Sequence, residues 1–311
     1  MSVVPVRAET SRRRTAPGSA SSRTLISHAQ LNRRGSKVAY RIVLTLVVVV
    51  FTLVFIGPLY FLFTDGLKST QEAGQVPPTL FPVHIHPSTY VSAWNTLSVG
   101  RLMFNTLYYA FGALAFQLIF DVAAAYAFSK LRPVLGNAIF GLMLATLMIP
   151  STVLIVPQYL TVASLPLLHV SLIGTPEAIW LPSVANAFNI FLLKRFFDSI
   201  PTELMDAAAI DGASPLRALR SIVLPISRPI LGVVTIFGFV AVWKDFLWPL
   251  LVESGYTPTR ETINVGITGA TTTPENFIIA ASAMAAIPTI IFFLIFQRNI
   301  LSGLTAGGLK G

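Results

Sequence analysis

The sequence IVLTLVVVVFTLVFIGPLYFLFT, at residues 42–64, determines the fold class because it contains no charged side chain. A transmembrane α-helix needs about 20 mostly apolar residues to cross the hydrocarbon core of a bilayer. The run begins too far from the N-terminus to be the apolar region of a cleavable signal peptide. It therefore predicts an uncleaved signal-anchor helix.

Five stretches further along the chain are also long and apolar enough to cross a membrane. With the first run, the predicted spans are 42–64, 103–128, 136–157, 176–194, 229–251 and 277–297. The fourth is the most polar, since it contains Glu177, Pro182, Asn186 and Asn189, and we expect other helices to shield it from lipid. The predicted fold class is an all-α membrane protein with six transmembrane helices.

The overall composition excludes a water-soluble enzyme. Of the 311 residues, 54% are hydrophobic and 11% are charged, whereas a soluble globular protein carries about a quarter of its residues as charged side chains. The net charge of +9 comes from basic residues that flank the apolar stretches, which indicates membrane orientation and not a nucleic-acid partner. The absence of cysteine excludes disulfides, a thiolate metal site and a cysteine nucleophile.

The distribution of Lys and Arg predicts the orientation. With the N-terminus inside, eighteen basic residues lie in the cytoplasmic segments and three in the outer segments. This positive-inside bias predicts that the N- and C-termini are both cytoplasmic. Residues 1–40 have no apolar periodicity and predict a disordered basic cytoplasmic tail, followed by a transmembrane domain over 41–311.

Motifs for catalysis are missing from the sequence. It contains no phosphate-binding loop of the form G-x-x-x-x-G-K-[ST], no H-E-x-x-H and no G-x-S-x-G. His84 and His86 are close together but have no carboxylate or third ligand nearby, which favours an ordinary loop over a metal site. We therefore predict no catalytic residue, no metal and no nucleotide bound by this chain itself.

The connection between the fourth and fifth spans, residues 195–228, is the most informative segment. Pro201 suits the first turn of a helix and Gly212 its end, so a short helix is predicted over Pro201–Asp211, with Leu204, Ala207 and Ala208 on one face. Ser214 and Pro215 begin a second predicted helix, which Pro225 ends. Together they form a helix, a glycine hinge and a helix on the cytoplasmic side.

The residues of this connection resemble a known motif. Asp206-Ala207-Ala208, followed by Gly212, Ile222 and Leu224-Pro225, is similar to the EAA loop in permease subunits of bacterial binding-protein-dependent ABC importers. The sequences DAAAIDGAS at 206–214 and GLTAGGLKG at 303–311 resemble the maltose-type carbohydrate-uptake branch of that family. The family usually has Glu where this chain has Asp206, and Glu203, one turn earlier, is a partial substitute.

The resemblance implies a type I ABC importer permease fold in the bacterial plasma membrane. The implied partners are a second homologous permease chain, two cytoplasmic ABC ATPase subunits and an extracytoplasmic sugar-binding protein, with membrane lipid around the chain and a sugar as substrate. ATP and Mg²⁺ are bound by the ATPases, so this chain is not an enzyme and has no cofactor of its own. The implied ATPase-coupling residues are Glu203, Asp206, Ala207, Ala208, Asp211, Gly212, Ile222, Leu224 and Pro225.

Polar and aromatic residues in the fourth and fifth spans are candidates for a carbohydrate path. Three of them recur at three-residue spacing and therefore lie near one helix face. The candidates are Ser183, Asn186, Asn189, Trp243, Lys244, Asp245 and Trp248. In the alternative interpretation, the Ser and Asn side chains hold helices together, the Trp residues form an interfacial belt and Lys244 extends to the outer headgroups.

Two other kinds of protein fit the same spans. An ion-coupled secondary transporter would use Asp121, Lys244 and Asp245 as a proton relay, since ionisable groups inside a membrane span are functional candidates. Such transporters usually show internal repeats, which this sequence does not, and the EAA-like loop would have no role in one. An assembly scaffold without transport leaves the polar fourth span unexplained.

The outer loop between the fifth and sixth spans is a candidate contact for the binding protein. In the maltose-type branch the matching loop resembles a finger that enters the open cleft of the binding protein and helps to displace the sugar. The residues implied here are Gly266, Thr268, Gly269, Thr271, Thr272 and Thr273. Glycine permits tight bends and threonine hydroxyls can form hydrogen bonds, but an ordinary polar loop has the same composition.

Overall fold

The computed structural model describes residues 34–253, 255 and 258–308, and in these residues the chain forms helices joined by turns. The α-helices are α1 Arg34–Asp65, α2 Thr70–Ala73, α3 Ser88–Thr96, α4 Val99–Tyr126, α5 Gly136–Thr146, α6 Ser151–Ala163, α7 Glu177–Trp180, α8 Ala187–Asp198, α9 Thr202–Ile210, α10 Pro215–Ala218, α11 Leu224–Ile226, α12 Arg228–Trp243, α13 Leu247–Val252, α14 Ile263–Gly269 and α15 Glu275–Gly308. Short 3₁₀ helices cover Leu181–Ser183 and Pro258–Arg260, and π turns cover Ala127–Leu131 and Leu219–Val223. The predicted all-α class is confirmed.

The chain divides into two compact units, residues 1–59 and 60–311. The described part of the first unit is the beginning of α1, whose large apolar side chains from Val38 to Leu59 are exposed. Such a surface suits a lipid environment. The helix begins at Arg34, so residues 34–40 are helical and differ from the predicted tail, while the remainder of that tail, 1–33, lies outside the described residues.

In the second unit, α4 and α12 connect two separate hydrophobic cores. At one core, Tyr126 at the end of α4 packs with Phe197, Val223 and Val234. At the other, residues near the start of α4 and the end of α12 pack with α14 and α15, as Leu102, Trp243, Ile263 and Ala281 show. The segment containing α9 to α11 and the segment containing α14 therefore lie at opposite ends of α12.

Three of the six predicted spans are continuous helices. By length and composition, Lys37–Asp65, Val99–Leu131 and Glu275–Asn299 can each cross a membrane. The predicted third span is instead a bent pair, α5 and α6, at 107° to each other. Its break comes immediately before Pro150, because proline disfavours helical backbone in the residue that precedes it.

The fourth and fifth predicted spans are also interrupted. The fourth consists of α7, a 3₁₀ turn and α8, with a break at 184–186 where the side chain of Asn186 accepts a hydrogen bond from the backbone N–H of Asn189 at 3.1 Å. The fifth is α12 and α13, separated at 244–246. Six uninterrupted spans are therefore not observed, because polar caps and prolines end helices inside the apolar stretches.

A polar network on the segment after α1 fixes the start of α15. Lys68 is 1% exposed, and its Nζ contacts Asp65 at 2.5 Å and donates to the carbonyl oxygen of Thr79 at 2.6 Å. Asn276 donates to the carbonyl of Lys68 at 3.2 Å. The backbone N–H of Val83 donates to Glu72 at 2.8 Å and holds the pKa of that carboxyl below its usual range. These contacts tie the segment after α1 to the first turn of α15.

Candidate functional site

The short helix α9 has the position and form that the sequence predicts. Its N-terminal neighbour is Pro201, and it ends before Gly212, whose φ of +72° lies in the left-handed region that favours glycine. The backbone N–H of Ala213 donates to the carbonyl of Ala208 at 2.9 Å across this turn. The glycine turn therefore sets the angle between α9 and the helix that follows it.

The outer surface of α9 is open to solvent. Glu203, Asp206 and Ala207 are exposed, and Ile210 is 87% exposed. Ala208 differs from the expected face, since it is buried against the rest of the chain while Leu204 and Ala207 are exposed. Exposed carboxylates are repelled by anionic lipid headgroups, so this surface suits a protein partner better than lipid.

The second helix of the loop is anchored in the protein core. Ser214 caps it by accepting a hydrogen bond from the backbone N–H of Arg217 at 3.3 Å, and Leu219 and Val223 are buried. Tyr126 of α4 donates its hydroxyl to the carbonyl of Pro215 at 2.9 Å. The second helix of the loop is therefore tied to α4 by packed side chains and one direct hydrogen bond.

The predicted end of this second helix is wrong. Pro225 lies inside α11, and the helix continues to Ile226, where the buried Ser227 follows. Proline lacks a backbone N–H, but the π turn immediately before it changes the hydrogen-bonding register and accommodates the ring. Ile222 and Leu224 are half-buried on this helix.

A cavity of about 330 Å³ with polar and apolar lining brings together three of the predicted path residues, Ser183, Asp245 and Trp248. They come from the interrupted fourth and fifth spans, and the breaks place them beside the bent helix α6. The other lining residues are Ser151, Thr152, Ile155, Gln158 and Leu247. Hydroxyl, amide and carboxylate groups beside an aromatic ring are the groups that bind carbohydrates.

The side chains around this cavity are held in position. The indole N–H of Trp248 donates to the carbonyl of Ala178 at 2.9 Å, which leaves the ring but not its polar edge for a ligand. Asp245 accepts from the backbone N–H of Trp248 at 3.4 Å at the start of α13. The amide of Asn264 donates to the carbonyls of Trp243 and Asp245 at 3.0 and 3.2 Å and so stabilises the break in the fifth span.

Sequence analysis missed the contribution of α6 to the cavity. Ser151 and Thr152 follow Pro150 inside the predicted third span, and Gln158 follows Pro157 immediately after the end of that span. Polar residues next to prolines within an apolar stretch were the available signal, because proline frees backbone groups and marks a bend.

The other predicted path residues do not line this cavity. Trp243 is buried, stacks on Phe239 with ring centroids 5.5 Å apart, and donates its indole N–H to the carbonyl of Ala285 at 3.1 Å. It therefore packs helices, and lies neither on the predicted sugar path nor in the interfacial belt of the alternative interpretation. Lys244 is exposed and is not among the lining residues.

Asp121 forms a buried polar cluster with two of the predicted path residues. It is 0% exposed, and its Oδ1 accepts from the backbone N–H of Asn186 at 2.9 Å. Asn186 in turn caps α8, and Asn189 is buried on the first turn of that helix. These groups hold the break in the fourth span against α4.

The outer loop is shorter than predicted. Gly266 and Thr268 belong to α14, where a Cβ on Gly266 would lie 2.6 Å from the side chain of Leu102, so this glycine permits close packing and not a bend. Gly269 ends the helix, and the exposed turn that follows contains Thr271 and Thr272, with Thr273 half-buried. The protruding part is therefore a turn supported by a buried helix.

Comparison with known proteins identifies relatives over most of the chain. Residues 122–305 match the family described as binding-protein-dependent transport system inner membrane component. The chain is 30% identical over 272 residues to the sn-glycerol-3-phosphate transport system permease protein UgpE of Rhizobium meliloti (strain 1021), covering 83% of this chain and 94% of the relative. The corresponding protein of Salmonella typhi is 31% identical over 284 residues, covering 88% and 97%.

Solved structures show the same fold. A chain from the crystal structure of a bacterial ABC transporter involved in the import of the acidic polysaccharide alginate superposes with a TM-score of 0.73 at 24% identity, covering 86% of this chain and 98% of that one. A second structure, of the alginate ABC transporter in complex with an alginate pentasaccharide-bound periplasmic protein, gives a TM-score of 0.60 at 17% identity.

Proposed function

Because this chain belongs to the family of inner-membrane components of binding-protein-dependent transport systems, we propose that it forms half of the translocation path of an ATP-driven ABC importer for a carbohydrate. The other half is a second, homologous permease chain. Two cytoplasmic ABC ATPases bind ATP and Mg²⁺, and an extracytoplasmic binding protein delivers the sugar. This chain is the transport subunit and performs no hydrolysis itself.

The observation that carries the proposal is the construction of the 195–228 loop. Its exposed part, α9, presents Glu203, Asp206 and Ala207, and its second helix is buried beside Tyr126. This arrangement supports a coupling role, because a partner that moves α9 also moves the end of α4. A proton relay through the membrane would need no such exposed helix.

The cavity beside α6 supports a carbohydrate as the substrate. Ser151, Thr152 and Ser183 supply hydroxyls, Gln158 an amide and Trp248 an aromatic ring. Relatives are named for sn-glycerol 3-phosphate, and the transporter of similar fold imports alginate, so polyhydroxylated compounds are common to both. We propose that Ser183, Asp245 and Trp248 contact the sugar during passage.

Co-purification of an ATPase tests the coupling role. We expect the tagged full-length chain, isolated from its native membrane, to bring down an ATPase with a phosphate-binding loop. Asp206→Lys reverses an exposed charge on α9 and should reduce the yield of ATPase. Thr272→Lys is the matched control, because Thr272 is also exposed but lies at the opposite end of α12. This variant should not reduce the yield of ATPase. Absence of an ATPase from the unmodified chain would contradict the proposal.

A further inference from the structure

A second polar cavity, of about 550 Å³, lies where the π turn at the end of α4 meets the start of α5 and the end of α8. It has no part in the proposed sugar path, which is built from α6, α13 and the turn after α7. Its lining includes three basic side chains, Lys130, Arg132 and Lys194, and one carboxylate, Asp198. The net charge of these four groups is therefore +2.

The single carboxylate is already occupied. Asp198 accepts from Lys194 Nζ at 2.8 Å through Oδ2 and from the hydroxyl of Ser129 at 2.8 Å through Oδ1. Lys130 Nζ donates to the carbonyl of Ile200 at 2.8 Å, and Arg132 Nε donates to the carbonyl of Ser129 at 3.4 Å. Among the described residues, Lys130 and Arg132 thus have carbonyl partners but no ion pair, and their charges are left to attract an anion.

The backbone places Arg132 at this position by an unusual conformation. Its φ of +49° lies in the left-handed region, which ends the π turn and reverses the chain before Pro133. Few non-glycine residues adopt this conformation. The turn keeps Arg132 within the same cavity as Lys130.

Apolar side chains beside the cavity indicate what kind of anion fits. Val134 lines it and is fully exposed, and the neighbouring Leu131 and Leu135 are 52% and 67% exposed. A soluble phosphate would leave these side chains in water, whereas acyl chains would cover them. The combination of basic pocket and apolar rim fits an amphiphile.

We propose that this cavity binds the phosphate headgroup of an anionic phospholipid, with the acyl chains against Leu131, Val134 and Leu135. Basic pockets between helices at a membrane surface bind such headgroups. The site adjoins the coupling segment, since Lys130 binds the carbonyl of Ile200 and the cavity includes Thr202, the first residue of α9. A bound lipid therefore connects α4, α5 and α8 at the base of α9.

Native mass spectrometry of the purified full-length chain tests the site. The chain is reconstituted in phosphatidylcholine containing phosphatidylglycerol, and the retained phosphatidylglycerol is counted for each variant. We expect Arg132→Gln to bind phosphatidylglycerol about fivefold more weakly, since each basic side chain near an anionic membrane surface contributes about this factor. Arg132→Lys keeps the charge and should restore retention.

Arg101→Gln is the matched control, because it removes the same charge from an exposed position at the opposite end of α4. Equal retention by Arg132→Gln and Arg101→Gln would overturn the proposal. Inorganic phosphate is the second probe. If phosphate binds at the cavity and phosphatidylglycerol is not retained, the site belongs to a soluble anion and the lipid assignment is wrong. Neither readout involves sugar or ATP, so this proposal and the transport function can fail separately.

Discussion

Gly212 sets the angle at which α9, the proposed coupling helix, meets the next helix, and its φ of +72° is strained for any side chain with a Cβ. We predict that Gly212→Ala costs about 1 kcal/mol locally and turns α9 away from its partner, so that sugar uptake falls while the chain remains in the membrane. Uptake of labelled sugar, normalised to membrane level, is the measurement.

Gly141→Ala is the control for this substitution. Gly141 lies in α5 and, like Gly212, has open space where a Cβ would be placed. Unlike Gly212, it has no positive φ. The two variants therefore differ in backbone strain and not in crowding. Unchanged uptake by Gly212→Ala would show that the glycine turn does not aim the helix.

Two substitutions of Asp121 distinguish a structural role of this side chain from a role in proton transfer. Its Oδ1 accepts the backbone N–H of Asn186, and an amide oxygen can accept the same bond. We predict that Asp121→Asn keeps most sugar uptake. Asp121→Leu removes the acceptor, leaves a buried N–H unpaired at a cost of about 1–3 kcal/mol, and should abolish uptake.

The secondary transporter predicts a different result for the same pair. A proton relay needs a titratable carboxyl, so Asp121→Asn would be as inactive as Asp121→Leu. Both variants are compared at equal membrane level in an uptake assay. Loss of uptake in Asp121→Asn would contradict the structural role that we assign to this side chain.

The interrupted spans show how far the helices could be predicted from sequence. The first, second and sixth spans follow from hydropathy, because a long apolar run without polar caps forms one continuous helix. Hydropathy does not detect the breaks at 147–150, 184–186 and 244–246, since the residues on either side remain apolar. The break at 147–150 follows from Pro150, whereas the breaks at 184–186 and 244–246 are held by tertiary contacts, of Asp121 with Asn186 and of Asn264 with the carbonyl of Asp245.

The candidate sites were likewise predictable from sequence only where the signal is local. The turn at Gly212 was predictable from local sequence, because a left-handed residue after a short helix favours glycine. The cavity beside α6 was only partly predictable, since Ser183, Asp245 and Gln158 are distant in sequence and meet through the breaks. The burial of Trp243 depends on packing against α15, for which the sequence carries no local signal.

The exposed turn after α14 is the element that we expect to act on the binding protein. Thr271 and Thr272 are exposed at its tip, and α14 is fixed by the buried Ile263 and Ile267. We predict that Thr271→Ala with Thr272→Ala lowers sugar transfer and leaves docking of the binding protein unchanged. Docking is measured by stimulation of ATP hydrolysis and transfer by uptake.

A threonine of the proposed sugar path, Thr152, gives the control for the turn. Thr152→Ala alters the proposed path without changing the outer surface. We expect both Thr152→Ala and the double variant of the turn to lower uptake. Only Thr152→Ala should leave the release of sugar from the binding protein unaffected. If the double variant of the turn takes up sugar at the unmodified rate, the turn has no part in transfer.

The two ends of the second unit are joined by packed helices. α12 contributes Ile230 and Val234 to the core beside α9–α11, and Phe239 and Trp243 to the core beside α14. The rings of Phe239 and Phe292 stack with centroids 3.9 Å apart, which ties α15 to α12 near the second core. Because packed helices of this kind can move as rigid elements, we propose that α12 carries a displacement at α9 toward the turn after α14.

The charge distribution predicts the orientation of the chain in the membrane. The excess of Lys and Arg on the segments that include residues 195–228 predicts that α9 is cytoplasmic and the turn at 271–273 is outside. Because the chain has no cysteine, a single introduced cysteine reports one position. We predict that an impermeant thiol reagent labels Thr272→Cys in cells with a permeabilised outer layer and an intact inner membrane. Ser214→Cys, equally exposed in the chain, should react only after the inner membrane is opened. Labelling of Ser214→Cys with the inner membrane intact would show that the orientation is the reverse of the predicted one. α9 would then lie beyond the reach of a cytoplasmic ATPase, and the proposed coupling mechanism would have no basis.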